Sequence, residues 1–305
     1  MTTINVTVNG KRIPVDGESS VLDAINASGT PIPQLCKDPD MKPIGACRTC
    51  LVDIDGIRGF PASCSTPATE GMIVSTNTES VKAVRRGVLE LTVAMLPKSD
   101  KSSFRDLSNA IYANATPGNL WPGRSRGKTD SSNPIFNIAM EDCILCGRCA
   151  QACQSGHQFI GAIDVIGAGT DARIGTFMDG ALIDSVCTTC GQCLSVCPTG
   201  AISPKERVPD IAKTIKTTCP YCGVGCGVKA RVDDSGVIRE MLDDPDNLSS
   251  AGMLCVKGRF GYTFVHHEDR LTTPLVRKNG ELLEATWEEA LDLVATKLSS
   301  YRGDR

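Results

Sequence analysis

Cys143-Ile144-Leu145-Cys146-Gly147-Arg148-Cys149-Ala150-Gln151-Ala152-Cys153 is answered further along the chain by Cys187-Thr188-Thr189-Cys190-Gly191-Gln192-Cys193-Leu194-Ser195-Val196-Cys197-Pro198. Both stretches have the spacing Cys-x2-Cys-x2-Cys-x3-Cys, and the reading of this repeat decides the rest of the chain. Three thiolates so close together can wrap three corners of a cubane of metal and sulfide, and the fourth corner must be capped by a thiolate from further away. A tetrahedron of four sulfurs also suits zinc. Structural zinc, however, is built from pairs of Cys-x2-Cys knuckles, for which a third Cys at the same spacing is redundant. The run occurs twice and its second copy carries a trailing proline, which favours a cluster over a single ion.

Working outward, the chain has 305 residues, of which 16 are cysteine and only 4% aromatic. That length leaves room for about two or three domains and needs no disulfide staples to hold a fold. Met1-Thr2-Thr3-Ile4 runs straight into an alternating strand pattern, with no basic and apolar leader. Sixteen cysteines without an export signal point to metal ligation and a cytoplasmic location. No apolar run approaches the length of a membrane span. The net charge of −3 is spread over mixed signs, so no nucleic-acid surface is expected.

The repeat resembles the two-cluster bacterial ferredoxins, which bind a pair of [4Fe–4S] clusters. In those proteins the fourth Cys of each run ligates the cluster of the other run. The resemblance therefore implies one ligand set of Cys143, Cys146, Cys149 and Cys197, and another of Cys153, Cys187, Cys190 and Cys193. His157 follows Cys153, but with all eight ligand places filled it reads as structural or as a hydrogen-bond donor beside the cluster.

Upstream, Ile4 to Val8 alternate, Asn9-Gly10 is a hairpin turn, and Arg12 to Val15 return. Ser19 or Ser20 can cap a helix over Val21 to Ala27, ended near Gly29. A loop rich in Pro and Gly then carries Cys36, Cys47, Cys50 and Cys64. The gap between the first two is much longer than in plant-type ferredoxins. This stretch resembles instead the β-grasp [2Fe–2S] domain at the start of the large electron-transfer subunit of NADH dehydrogenase, and of related hydrogenases and formate dehydrogenases. The alternatives are zinc and a redox Cys47/Cys50 pair. An amphipathic helix is expected over 79–96, broken at Pro97. In the NADH dehydrogenase family that helix leads into a cluster held by one His and three Cys. No Cys or His lies between Cys64 and Cys143, so that cluster cannot form, and electrons must pass directly to the ferredoxin pair or through a partner. Residues 114–134, with Arg124, Arg126 and Lys128, read as a linker or surface loop, as do residues 198–217.

Downstream comes Cys219-Pro220-Tyr221-Cys222-Gly223-Val224-Gly225-Cys226, with Cys255 beyond it. Its glycines allow close approach of backbone to a cluster. Together with Cys255-Val256-Lys257-Gly258-Arg259-Phe260-Gly261-Tyr262, this resembles the small [4Fe–4S] domain that opens molybdopterin oxidoreductases, most closely the formate dehydrogenase alpha subunit. The resemblance implies cluster ligands Cys219, Cys222, Cys226 and Cys255, and makes Lys257 the electron-transfer residue between cluster and pterin. His266 and His267 could bind metal as an adjacent pair but read rather as solvent-exposed or hydrogen-bonded neutral imidazoles. Thr286 can cap a helix over Trp287 to Leu298.

The expected fold is α+β in five parts: a [2Fe–2S] domain (1–78), a helix and linker (79–133), a double [4Fe–4S] ferredoxin domain (134–205), a [4Fe–4S] domain of molybdopterin-oxidoreductase type (212–270), and the start of a catalytic domain (271–305). The three motifs account for all sixteen cysteines, so the ligand of a catalytic molybdenum or tungsten is expected beyond residue 305, the chain being truncated or its catalytic part carried elsewhere. The resemblance implies one [2Fe–2S] cluster, three [4Fe–4S] clusters, and a Mo- or W-bis-pterin guanine dinucleotide in the complete enzyme. It further implies formate oxidation or its reverse, with flavin- and NAD-binding diaphorase-type subunits as partners. The alternative is a stand-alone electron carrier of a hydrogenase or complex-I-like assembly.

Overall fold

The computed structural model describes residues 2–94, 128–206, 208 and 210–302. Its first unit opens with the expected hairpin, β1 (Thr3–Val8) antiparallel to β2 (Lys11–Asp16). The turn residues Asn9 and Gly10 have φ of 48° and 84°. A tight turn with two positive φ angles suits the right-handed twist of the strands, and Asn-Gly adopts it at low cost. Ser20 caps α1 (Val21–Ala27) in a reciprocal box: its hydroxyl accepts from the Asp23 N–H, and the Asp23 carboxylate accepts from the Ser20 N–H. Val21, Leu22, Ala24 and Ile25 of this helix are fully buried with Val6, Val8, Val52 and Val74. β3 (Asp53–Ile54) and β4 (Ile73–Ser75) complete a sheet of order β2-β1-β4-β3, in which β1 and β4 are parallel.

α2 (Glu79–Ala94) joins this unit to the next. Val81 packs into the core of the first sheet, whereas Leu89 packs with Leu35, Cys36, Ile144 and Cys146. The last two positions of the expected helix lie outside the described residues, as do Arg124 and Arg126 of the expected linker.

The second unit surrounds the cysteine repeat. β5 (Thr129–Asp130) and β6 (Phe136–Ala139) are antiparallel, and α3 (Arg148–Gln151) carries the third cysteine of the first run. A small hairpin, β7 (Asp164–Ile166) and β8 (Arg173–Gly175), fills the long insert between the runs. α4 (Gln192–Ser195) is the counterpart of α3, and β9 (Ile202–Pro204) closes the sheet in the order β5-β6-β9. Its core is Phe136, Ile138, Met140, Ile163, Ile174, Leu182 and Ile202, mixed with the cysteines themselves.

In the third unit, β10 (Lys213–Thr218), β11 (Gly227–Val232) and β12 (Ile238–Asp243) form an antiparallel meander, against which α5 (Val256–Phe260) packs. A hairpin of β13 (Leu275–Lys278) and β14 (Glu281–Glu284) leads to α6 (Trp287–Ser300), capped by Thr286, whose hydroxyl accepts from the Glu289 N–H. The architecture is α+β, as expected. Among the described residues, no helix is long and apolar enough to cross a membrane.

Both stretches read as linkers are partly strand. Thr129–Asp130 and Ile202–Pro204 flank β6, and Lys213–Thr218 starts the meander. Pro204 is tolerated because it ends a strand at the rim of its sheet. β10 is exposed along its length, so it carries no apolar alternation to announce it.

Candidate iron–sulfur centres

The sixteen cysteines, none in a disulfide, gather into four groups of four. In the first group, Cys36 meets Cys47 and Cys64, and Cys50 meets Cys64. These four thiols are too close to ionise together. Hydrogen bonds from Cys47 and Cys64 pull Cys36 down, and one from Cys64 pulls Cys50 down to about 6. The partners move the other way: the hydrogen bond with Cys36 pushes up both Cys47 and Cys64. Sulfurs that compete for protons in a buried place are the donor set that a cationic iron centre satisfies. Thr49, wholly buried, accepts from the Leu35 N–H and places its Oγ1 3.1 Å from Cys47 Sγ. A metal-bound Cys47 has no proton, so in that state the Thr49 hydroxyl donates to the sulfur.

The ferredoxin-type unit holds two groups, each around a small apolar cavity. One cavity is lined by Cys143, Cys146, Cys149 and Cys197 with Pro198. The other is lined by Cys153, Cys187, Cys190 and Cys193. The fourth Cys of each run thus lies with the other run. Burial above all, then the neighbouring sulfurs, pushes the Cys146 thiol up to about 12 and raises Cys149 and Cys193 as well. Backbone N–H groups point at the sulfurs: Leu145 to Cys143 at 3.3 Å, Thr189 to Cys187 at 3.4 Å, and Ala162 to Cys153 at 3.2 Å. Leu145 and Thr189 stand at φ of 52° and 55°. Such a backbone costs roughly 1–2 kcal/mol for a residue with a side chain. Here it turns the amide onto the sulfur of the cysteine two places earlier.

In the last group, Cys226 is pushed up first by burial and then by Cys219, Cys222 and Cys255. Cys219 is buried, whereas Cys222 and Cys255 are exposed. Of the nearby glycines, Gly258 faces a sulfur: a Cβ there would lie 3.5 Å from Cys219 Sγ, in ordinary contact. Gly223, singled out for close approach, has open space around it. Lys257 lies on α5, two residues after Cys255, and is exposed.

Among the described residues, no three His, Cys, Asp or Glu side chains converge on a point in the way a single ion requires. Zinc would need four sulfurs within about 2.3 Å of one centre. The two ferredoxin-type groups each line an apolar cavity with four thiols, a donor set that suits an iron–sulfide cluster. His157, read as structural or as a hydrogen-bond donor beside the cluster, places its Nδ1 in a buried position with no hydrogen-bond partner among the described residues. His266 accepts from the Ile238 N–H, and His267 from the Asp269 N–H.

The groups also follow one another in space. Cys36 and Cys47 share an apolar cluster with Ile144 and Cys146. Cys149 lies close enough to Cys193 to be influenced by it. The Cys190 carbonyl accepts from Arg259 on α5, the helix that begins after Cys255. Sequence reasoning passed over Thr49, Gly258 and Arg259. Only Arg259 carried any signal, as a second charged residue, beside Lys257, in an otherwise apolar and glycine-rich segment.

Comparison with known proteins agrees with this order. Residues 1–79 match the model of the 2Fe-2S iron-sulfur cluster binding domain, and residues 182–203 that of the 4Fe-4S binding domain. Residues 212–267 match the molybdopterin oxidoreductase Fe4S4 domain, and residues 270–305 the molybdopterin oxidoreductase model. The chain is 32% identical over 320 residues to a subunit of NADH-quinone oxidoreductase from Rhizobium meliloti (strain 1021), covering 98% of this chain and 36% of that protein. It is 32% identical over 306 residues to the alpha subunit of NADPH-Fe(3+) oxidoreductase of Geobacter sulfurreducens (strain ATCC 51573 / DSM 12127 / PCA), covering 97% and 35%. A protein of Staphylococcus haemolyticus (strain JCSC1435), provisionally named a formate dehydrogenase, is 29% identical over 350 residues, with 98% and 35% covered. The chain therefore spans about a third of the length of these curated relatives. Among solved structures, a chain of an NAD+-reducing [NiFe]-hydrogenase matches at 30% identity with a TM-score of 0.57, over 69% of this chain and 92% of that one. Four groups of cysteines in this order, the domain models in the same order, and a solved relative covered almost end to end lead to one assignment: the chain belongs to the family of iron–sulfur electron-transfer subunits of molybdopterin-type oxidoreductases.

Proposed function

We propose that this chain is the electron-transfer portion of a molybdenum- or tungsten-dependent, bis-pterin formate dehydrogenase, acting in either direction between formate and CO2. Cys36, Cys47, Cys50 and Cys64 would hold a [2Fe–2S] cluster. Three [4Fe–4S] clusters would be held by Cys143/Cys146/Cys149/Cys197, by Cys153/Cys187/Cys190/Cys193 and by Cys219/Cys222/Cys226/Cys255. When bound, such clusters take up and release one electron at a time, at potentials set by hydrogen bonds, charge and exposure. The protein's part is to hold them in sequence and tune them. Thr49 and the amides of Leu145, Ala162 and Thr189 supply hydrogen bonds to sulfur. Lys257 would stand between the last cluster and the pterin, and the Cys36 group would face a flavin- and NAD-binding partner.

The observation that carries this reading is the succession of four cysteine groups leading into a segment matched by the molybdopterin oxidoreductase model. A second reading, an electron carrier of a hydrogenase or complex-I-like assembly, is favoured by the coverage of the hydrogenase chain. Elemental analysis of the native complex, purified anaerobically, separates the two. Roughly fourteen iron per chain, with near-stoichiometric Mo or W and formate-dependent reduction of the iron signals, is the expected result. The same iron without Mo or W selects the carrier, and abundant zinc with little iron sinks both.

A further inference from the structure

The two halves of the ferredoxin-type unit have the same corner. In Cys146-Gly147-Arg148-Cys149 and in Cys190-Gly191-Gln192-Cys193, the glycine sits at φ 76° and starts a short helix. Each glycine is also where a neighbouring domain comes close. A Cβ on Gly147 would lie 3.0 Å from Ile44 Cδ1 of the N-terminal domain. A Cβ on Gly191 would lie 2.5 Å from Arg259 Cδ and 2.7 Å from Phe260 Cζ of the C-terminal domain.

The residue after each glycine makes the polar connection. Arg148 is ion-paired with Asp38, whose side chain is 6% exposed, and Gln151 at the end of the same helix donates to the Lys42 carbonyl. On the other side, Arg259, 2% exposed, donates from Nη2 to Gln192 Oε1 at 2.6 Å and to Asp243 Oδ1 at 3.1 Å, and from Nε to the Cys190 carbonyl at 3.2 Å. A guanidinium buried this deeply persists only when its charge is matched and its donors are used. Asp243 matches the charge, and the corner supplies the other two acceptors.

We propose that the Cys-Gly-X-Cys corner is a docking socket used twice, with Arg148–Asp38 and Gln192–Arg259 as the latches that fix the N-terminal and C-terminal domains onto the central unit. Arg148 and Arg259 are then positioning residues. They hold successive cysteine groups in register, and Arg259 also places a positive charge on the backbone of Cys190. The purpose of the sockets rests on the electron-path reading above; their geometry does not.

The test uses the native complex isolated anaerobically, comparing Arg259→Met, Arg259→Lys, Asp243→Asn and Arg148→Met with the unmodified protein. Amide hydrogen exchange reports each junction, and potentiometric EPR titration reports each iron signal. Arg259→Met is expected to speed exchange at residues 190–192 while leaving residues 38–44 protected, and to move one midpoint to more negative potential. Asp243→Asn moves the same midpoint the opposite way, which a merely structural role would not do. Arg259→Lys keeps the midpoint near its original value while exchange still quickens. Arg148→Met loosens residues 38–44 alone and shifts a different midpoint. The proposal falls if Arg259→Met and Arg148→Met loosen the same segments, or if neither alters exchange. It falls too if Arg259→Met and Asp243→Asn shift potentials in the same direction or not at all. Should Arg259→Met not assemble, Gln192→Ala removes one arm of the latch and is held to the same exchange pattern. If the unmodified protein holds no iron, the electron-path reading fails, and exchange alone decides the sockets.

Discussion

Single residues do two kinds of work in this chain: they close elements, and they admit sulfur. Ser20 closes α1 through its reciprocal box with Asp23. Ser20→Ala should lower stability by about 1 kcal/mol, read as a fall in the midpoint of urea denaturation. Gly258 belongs to the second kind. A Cβ there makes ordinary contact with Cys219 Sγ and Leu254 Cδ2, both at 3.5 Å. Gly258→Ala should therefore retain the iron of the last group, whereas Gly258→Val, with two further methyls in that space, should lose about four iron per chain. Metal analysis of the two variants checks this, and equal iron in both would remove Gly258 from the site. The cap was legible from the sequence because its partners are three residues apart. Gly258 was not, because the sulfur it packs against lies far back in the chain.

Elements differ in how much of their stability they carry alone. α1 is held by its buried face, so Leu22→Ala should cost about 2–5 kcal/mol, measured by denaturation of the apoprotein. The turn between β11 and β12 depends instead on one carboxylate. Asp233 accepts from the Ser235 hydroxyl and the amides of Ser235 and Val237, and pairs with Arg239. The Ser235 hydroxyl and then Arg239 hold its carboxyl well below the usual carboxylate range. Because the folded value is depressed, the turn's stabilisation is complete above the unfolded value of about 3.9. It is lost as the pH falls from there through the depressed value. Exchange at the Val237 amide should quicken over that interval, and Asp233→Asn should show the quicker exchange already at neutral pH. The first hairpin and three of the helices were legible because alternation, Asn-Gly and caps are local signals. β5, β9 and β10 were not: two are too short to show a period, and the third has no buried face. Their pairing is decided by β6 and β11, which lie elsewhere in the sequence.

At the scale of the whole molecule, the units depend unequally on metal. The first has a core made mainly of aliphatic side chains, among them Val6, Val8, Leu22, Ile25, Val52 and Val74, and only Cys50 and Cys64 of its cysteines are buried in it. In the second, Cys143, Cys149 and Cys193 are buried in a smaller core, with Cys153, Cys187 and Cys197 packed against it. Stripping the iron with a chelator under oxidising conditions should therefore leave β1, β2 and α1 protected from exchange while protection across residues 134–205 collapses. Equal loss in both units would contradict that division. The cysteine groupings were legible from spacing and resemblance, but the contacts ordering them in space were not. Those contacts depend on Leu89, Arg148 and Arg259 reaching across the units. The sulfurs also differ in depth, from Cys36, Cys50 and Cys64, the deepest of all, through Cys146 and Cys149, each under a tenth exposed, to Cys222 and Cys255 at the surface of the described residues. That depth constrains biosynthesis. Iron for the buried sulfurs of the first two units has to arrive before the polypeptide closes over them, so folding and cluster loading there are one event rather than two.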